Sequence, residues 1–96
     1  MKIVINTCYG GFGLSKEAFG RWREAKNLDA DDPMYEFDSD IPRNDTDLIK
    51  IVEQMGDRSA GDFANLKIIE VPDDVDWYIE EYDGREWVAE RHRTWD

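Results

Sequence analysis

Ninety-six residues with 41% hydrophobic content suffice for one domain and one core, not two. Asp and Glu outnumber Lys and Arg, 23 to 12, and the net charge of −11 opposes nucleic acid and anionic membrane surfaces at long range. No run reaches the roughly 18 apolar residues of a membrane span, and a single cysteine and a single histidine leave neither an internal disulfide nor a zinc set, so the composition reads as a cytoplasmic domain with no metal and no cofactor.

The chain opens with "KIVINT", whose alternation and β-branched residues predict a strand over 2–7, with Ile3 and Ile5 on one side and Val4 and Asn6 on the other. One lysine, a short apolar run and no cleavage site make it a strand rather than a signal peptide. "CYGGFGLS" follows, three glycines around Phe12. Ser15 is a good N-cap for a helix "KEAFGRWREAK", Glu17 suits its first turn, Ala18, Trp22 and Ala25 mark one face, and Asn27 is the expected stop. Gly20 weakens that helix by about 1 kcal/mol relative to Ala, which implies close packing against a neighbour. An acidic, turn-rich segment then holds "MYEF", a candidate edge strand.

Asn44 or Asp45 caps a second helix, in which Leu48, Ile51, Val52 and Met55 recur at helical spacing and Gly56 closes the end. "LKIIEV" is a strand stopped by Pro72. "VDWYIEEY" and "REWVAERHRTW" flank Asp83-Gly84, a strong type I′ hairpin signal. The turn sets the register: Tyr82 opposite Arg85, Glu81 opposite Glu86, Glu80 opposite Trp87, Ile79 opposite Val88, Tyr78 opposite Ala89 and Trp77 opposite Glu90. Both hairpin faces carry aromatics, so one is expected under the helices and the other under a partner. The expected fold is α+β: a mainly antiparallel sheet of about four strands, including the C-terminal hairpin, with two helices packed on one face, as a single domain over 1–96.

The strand–glycine–helix junction is suited to chemistry. Amides at a helix N-terminus lack intrahelical acceptors and feel the positive end of the dipole, and glycines let the backbone approach a phosphate. Gly10-Gly11-x-Gly13 matches neither the dinucleotide nor the P-loop spacing, and a tight turn requiring positive φ is the favoured explanation of it. Backbone amides from Gly11 to Ser15 would hold an anion, and Tyr9 or Phe12 would stack on a planar base. Phe12, at a loop tip, is poorly placed for the core, whereas Trp22, Trp77, Trp87 and Phe63 read mostly as core. Arg91 and Arg93 project from one face of the last strand as forks for phosphate or carboxylate, with cross-strand pairing to Asp76 and Asp74 the plainer reading. Glu81 and Glu86 face one another, so compensation is expected from a cation or a basic partner, or from solvation at the hairpin tip. No pocket surrounds them, Cys8 lacks a positioned base, and His92 reads as structural, so no catalytic or metal-binding set is assigned.

"INTCYGGFGLS", "IPRNDTDLIKIVEQMG" and "LKIIEVPDDVDWYIEEYDGREWVAERHRTW" resemble a family of short proteins of tailed phages and prophages. The likeness spans nearly the whole chain and omits only residues 28–40. More loosely, the chain is similar to the Thoeris anti-defence sponge proteins of phages, small cytoplasmic oligomers that sequester cyclic ADP-ribose-type signals without cleaving them. That resemblance implies a ligand with phosphates and a purine, held by the loop at Gly10 to Gly13 and by Arg91 and Arg93, with Arg43 a further contact. Two functions are therefore expected. One is a binding protein, not an enzyme, that sequesters a nucleotide-derived anion through Tyr9, Gly10, Gly11, Phe12, Gly13, Ser15, Arg43, Arg91 and Arg93, as a homodimer or higher oligomer. The other is an acidic protein-interaction module acting on a host factor, suggested by the charge and the two-sided aromatic hairpin.

Overall fold

The computed structural model describes residues 1–28, 38 and 41–90. In chain order the elements are β1 (Lys2–Asn6), α1 (Lys16–Ala25), α2 (Thr46–Met55), a 3-10 turn (Gly56–Ser59), β2 (Leu66–Glu70), β3 (Trp77–Tyr82) and β4 (Arg85–Glu90). The candidate strand in "MYEF" lies outside the described residues, as do Arg91, His92 and Arg93.

The fold is α+β, but its strands form two antiparallel pairs, β1–β2 and β3–β4, where a single sheet of about four was expected. The reason lies at the outer edge of β1. Alternate N–H groups of a strand point to opposite edges. One set points toward β2, with which β1 is in register from Lys2↔Glu70 to Asn6↔Leu66. On the other edge, Val4 N–H donates to the Arg43 carbonyl at 2.8 Å and Asn6 N–H to Glu86 Oε1 at 2.9 Å. A loop carbonyl and a side-chain carboxylate thus satisfy the donors that a third strand would have paired.

Val4 joins Leu14, Ala18, Trp22, Leu48, Val52 and Met55 in the core, and Leu66 and Ile68 of β2 pack against it. Helix α2 lies against β1 and β2, and α1 lies against α2. Ser15 caps α1, its Oγ accepting from Ala18 N–H. Ala25 is exposed, and a Cβ built on Gly20 meets nothing within 4 Å, so the close packing expected there is not found.

Asp45, not Asn44, caps α2. Its Oδ2 accepts from Leu48 N–H and from Trp22 Nε1, both at 3.0 Å, while Oδ1 accepts from Lys26 Nζ at 2.7 Å. One carboxylate therefore starts the second helix and holds two side chains from the first helix and its C-cap. Burial pushes the Asp45 carboxyl up, but the hydrogen bonds from Lys26, Trp22 and Leu48 together outweigh it and leave the pKa below its ordinary value. Lys26 is held above its own ordinary value by hydrogen bonds to Asp45 and then to Asp47.

The hairpin has the register expected from its turn, Trp77↔Glu90 through Tyr82↔Arg85. Asp83 and Gly84 both adopt positive φ, 53° and 89°, as a type I′ turn requires. The hairpin reaches the body through β4, which approaches β1.

Candidate functional site

The glycine junction is clamped from two sides. A Cβ on Gly10 would lie 2.1 Å from the Phe63 carbonyl oxygen, so the 61–65 loop rests directly on that residue. From the hairpin turn, a Cβ on Gly84 would lie 2.4 Å from Gly11 N and 2.5 Å from the Tyr9 carbonyl oxygen. Both close approaches need glycine. The start of the helix is also engaged: Leu14 N–H donates to Asp38 Oδ2 at 2.7 Å and Ser15 N–H to the Ser59 carbonyl at 2.8 Å. The Asp38 carboxylate stands where an anion bound at this junction would stand.

Arg43 lies beside this loop. Its guanidinium carbon sits 3.6 Å from the centroid of the Phe12 ring, and its two terminal nitrogens pair with the two carboxylate oxygens of Glu86, Nη1 with Oε1 and Nη2 with Oε2, the latter at 2.8 Å. This resolves the opposed Glu81–Glu86 pair in a way not anticipated. Glu81 is exposed, as a hairpin-tip carboxylate was expected to be, but Glu86 is 5% exposed and takes its compensation from within the chain. Phe12 is likewise corrected: it packs against the core, with Arg43 over its ring.

Asn6 completes the fastening. It is fully buried, and its carboxamide makes four hydrogen bonds. Nδ2 donates to the carbonyls of Cys8 and Gly84, each at 2.7 Å, and Oδ1 accepts from Cys8 N–H at 3.2 Å and Asn65 N–H at 2.9 Å. That is the full capacity of an amide. A two-stranded hairpin is marginal by itself. Here Asn6, Arg43, Glu86 and Gly84 tie its turn end to β1 and the glycine loop.

With Glu86 turned inward, strand parity turns Tyr78, Glu80, Tyr82 and Trp87 to the opposite, outward face. Tyr78 Oη donates to Glu80 Oε1 at 2.9 Å and Trp87 Nε1 to Glu80 Oε2 at 3.0 Å. Trp87 is 42% exposed, Tyr82 69%, Tyr9 62% and Phe63 76%. Trp87 and Phe63 are therefore not core residues. The four sit on the glycine loop and on the two segments that touch it, the 61–65 loop at Gly10 and the hairpin turn at Gly84.

Of the residues expected to bind a ligand, Tyr9, Gly10, Gly11, Phe12, Gly13 and Ser15 share one loop and Arg43 lies against it. Arg91 and Arg93 lie outside the described residues. Asn6, Asp38 and Glu80 were not anticipated. An open groove of about 360 Å³ between the start of β1 and α2, lined in part by Lys2, Ile49, Lys50 and Glu53, contains none of the expected residues. Among the described residues no group of His, Cys, Asp or Glu is arranged to hold a metal, and no helix is long and apolar enough to cross a membrane. No protein-family model, no curated protein and no solved structure matches the chain.

Proposed function

We propose that this chain is a non-catalytic, acidic interaction module that engages a host protein through the exposed aromatics of hairpin β3–β4 and the loops beside it. The observation that carries this reading is that the large hydrophobics exposed among the described residues, Tyr9, Phe63, Tyr82 and Trp87, lie on the glycine loop and on the two segments that touch it, the 61–65 loop at Gly10 and the hairpin turn at Gly84. Aromatic side chains supply large contact area at low entropic cost and dominate protein interfaces. The net charge of −11 adds long-range attraction for a basic partner. The resemblance to phage and prophage proteins favours a bacterial partner.

Capture of a nucleotide-derived anion at the glycine loop has one observation in its favour, the Arg43 guanidinium lying on Phe12 beside the loop. Against it, Glu86 already occupies that guanidinium and Asp38 already occupies Leu14 N–H. A phosphate would have to displace Glu86 and leave it buried without its counter-ion, at a cost of about 3–5 kcal/mol. We therefore place the interaction reading first.

The test is affinity capture from bacterial lysate with the intact chain and with the double variant Tyr82→Ser/Trp87→Ser, at low and moderate salt. A partner retained by the parent, weakened by salt and lost with the variant is expected. Capture indifferent to both serines would overturn the proposal. Calorimetry against cyclic nucleotides and ADP-ribose isomers runs alongside, and a bound ligand with an affinity dependent on Arg43 would restore the anion reading.

A further inference from the structure

We infer that the outward face of β3–β4 is a receptor for a guanidinium or alkylammonium side chain on a basic segment of the partner, with Glu80 as the counter-charge and Trp87 and Tyr82 as the aromatic surface. This rests on the interaction reading above and names the chemistry that the partner brings.

Glu80 is held in place before any partner arrives. Each carboxylate oxygen accepts one hydrogen bond, from Tyr78 Oη and from Trp87 Nε1. A carboxylate has about four acceptor positions, so capacity for a bidentate fork remains. Among the described residues Glu80 has no ion-pair partner, in contrast to Glu86 on the inner face, which Arg43 neutralises. The indole N–H lies in the ring plane, so its bond to Glu80 sets the carboxylate at the edge of Trp87, a residue that is 42% exposed, rather than over its ring. A cation over an indole face beside a fixed carboxylate gains from both. Tyr82, on the same face and diagonal to Trp87 in the register, widens the aromatic surface.

The charge of the whole chain, −11, selects the sign of the occupant. Glu80 is the carboxylate on this face, since Glu81 shares the inner face with Glu86, and Arg85, opposite Tyr82, is among the described residues a cation that an incoming one would meet. A second copy of the chain would bring its own charge of −11 to an acidic surface, and nucleic acid would be repelled. A basic peptide segment is the occupant that these charges favour.

The experiment titrates the intact chain with labelled twelve-residue peptides at physiological salt, where long-range fields are largely screened. The peptides are Arg/Gly, Lys/Gly, Glu/Gly and Leu/Ser, and binding is followed by anisotropy and by amide chemical shifts. The Arg/Gly peptide should bind, with shifts concentrated over residues 78–87. Glu80→Gln should weaken it about fivefold or more, and Trp87→Ser similarly, whereas Glu24→Gln, an equal change of net charge on α1, should change it less than about twofold. Equal losses from Glu80→Gln and Glu24→Gln would show a bulk field and overturn the receptor. Equal binding of Leu/Ser would also overturn it while leaving the interaction reading intact. Absence of Arg/Gly binding overturns it too, and the lysate capture then decides the interaction reading separately.

Discussion

Arg43 and Glu86, 43 residues apart in the chain, form a two-pronged ion pair that closes the outer edge of β1. Each partner also bonds that strand directly, Arg43 through its carbonyl to Val4 N–H and Glu86 through Oε1 to Asn6 N–H. The pair is therefore both an electrostatic contact and the means by which the hairpin is joined to the body.

Arg43→Met leaves the Glu86 carboxylate buried without its counter-ion and should cost about 3 kcal/mol or more. The double variant Arg43→Met/Glu86→Met should cost clearly less than the two single changes added together. Urea denaturation of the four proteins measures this; strict additivity would show that the pair contributes no coupling.

Asn6→Asp keeps the size of the side chain but removes both N–H donors and sets a carboxylate near Glu86. The Cys8 and Gly84 carbonyls lose their donor, so a loss of about 2 kcal/mol or more is expected. Amide exchange should show the hairpin turn losing protection first. Unchanged protection at Gly84 would remove Asn6 from the fastening.

Two Gly→Ala changes should have opposite signs. Gly20 lies in the interior of α1 with open space around its Cβ position, so Gly20→Ala should stabilise by roughly 0.5–1 kcal/mol. Gly84 has φ 89° and a Cβ position in contact with Gly11 and Tyr9 backbone, so Gly84→Ala should destabilise by roughly 1–3 kcal/mol. Thermal midpoints report both, at about 4–8 °C per kcal/mol for a chain of this size.

Asp45 and Lys26 set opposite ends of the pH profile. Asp45 has a lowered pKa, so its contribution is present above its ordinary value of 3.8 and is lost as pH falls through the lower folded value. Lys26 has a raised pKa, so its contribution is present below 10.5 and is lost as pH climbs through the higher folded value. Asp45→Asn should flatten the acid limb of stability below pH 3.8, and Lys26→Met the alkaline limb above 10.5. Limbs unchanged by these substitutions would assign the pH dependence to other groups.

Local features were legible in the sequence, while the long-range joins were not. Ser15 and the Asn44/Asp45 position marked both helix starts because capping acts over three residues. Asp83-Gly84 set the hairpin register because a two-residue turn leaves no freedom in the pairing. Division into two sheets was not legible, because it depends on Arg43 and Glu86 meeting across distant segments to fill an edge. Parity of the hairpin was likewise undecided, since both faces carry aromatics and a glutamate is the residue turned inward. Residue type alone points Phe63 and Trp87 to the core, but one sits in an exposed loop and the other on the hairpin face turned away from the buried carboxylate.

Sealing both sides of β1 bears on self-assembly. Ribbon growth and fibril formation recruit strands that offer unsatisfied amides, and the most apolar strand of a chain is the hazardous one. In this molecule a foreign strand could join "KIVIN" only after an ion pair had separated and a loop carbonyl had withdrawn. The segment most prone to template aggregates is thereby guarded by polar chemistry, and weakening that guard should show itself first as precipitation on storage.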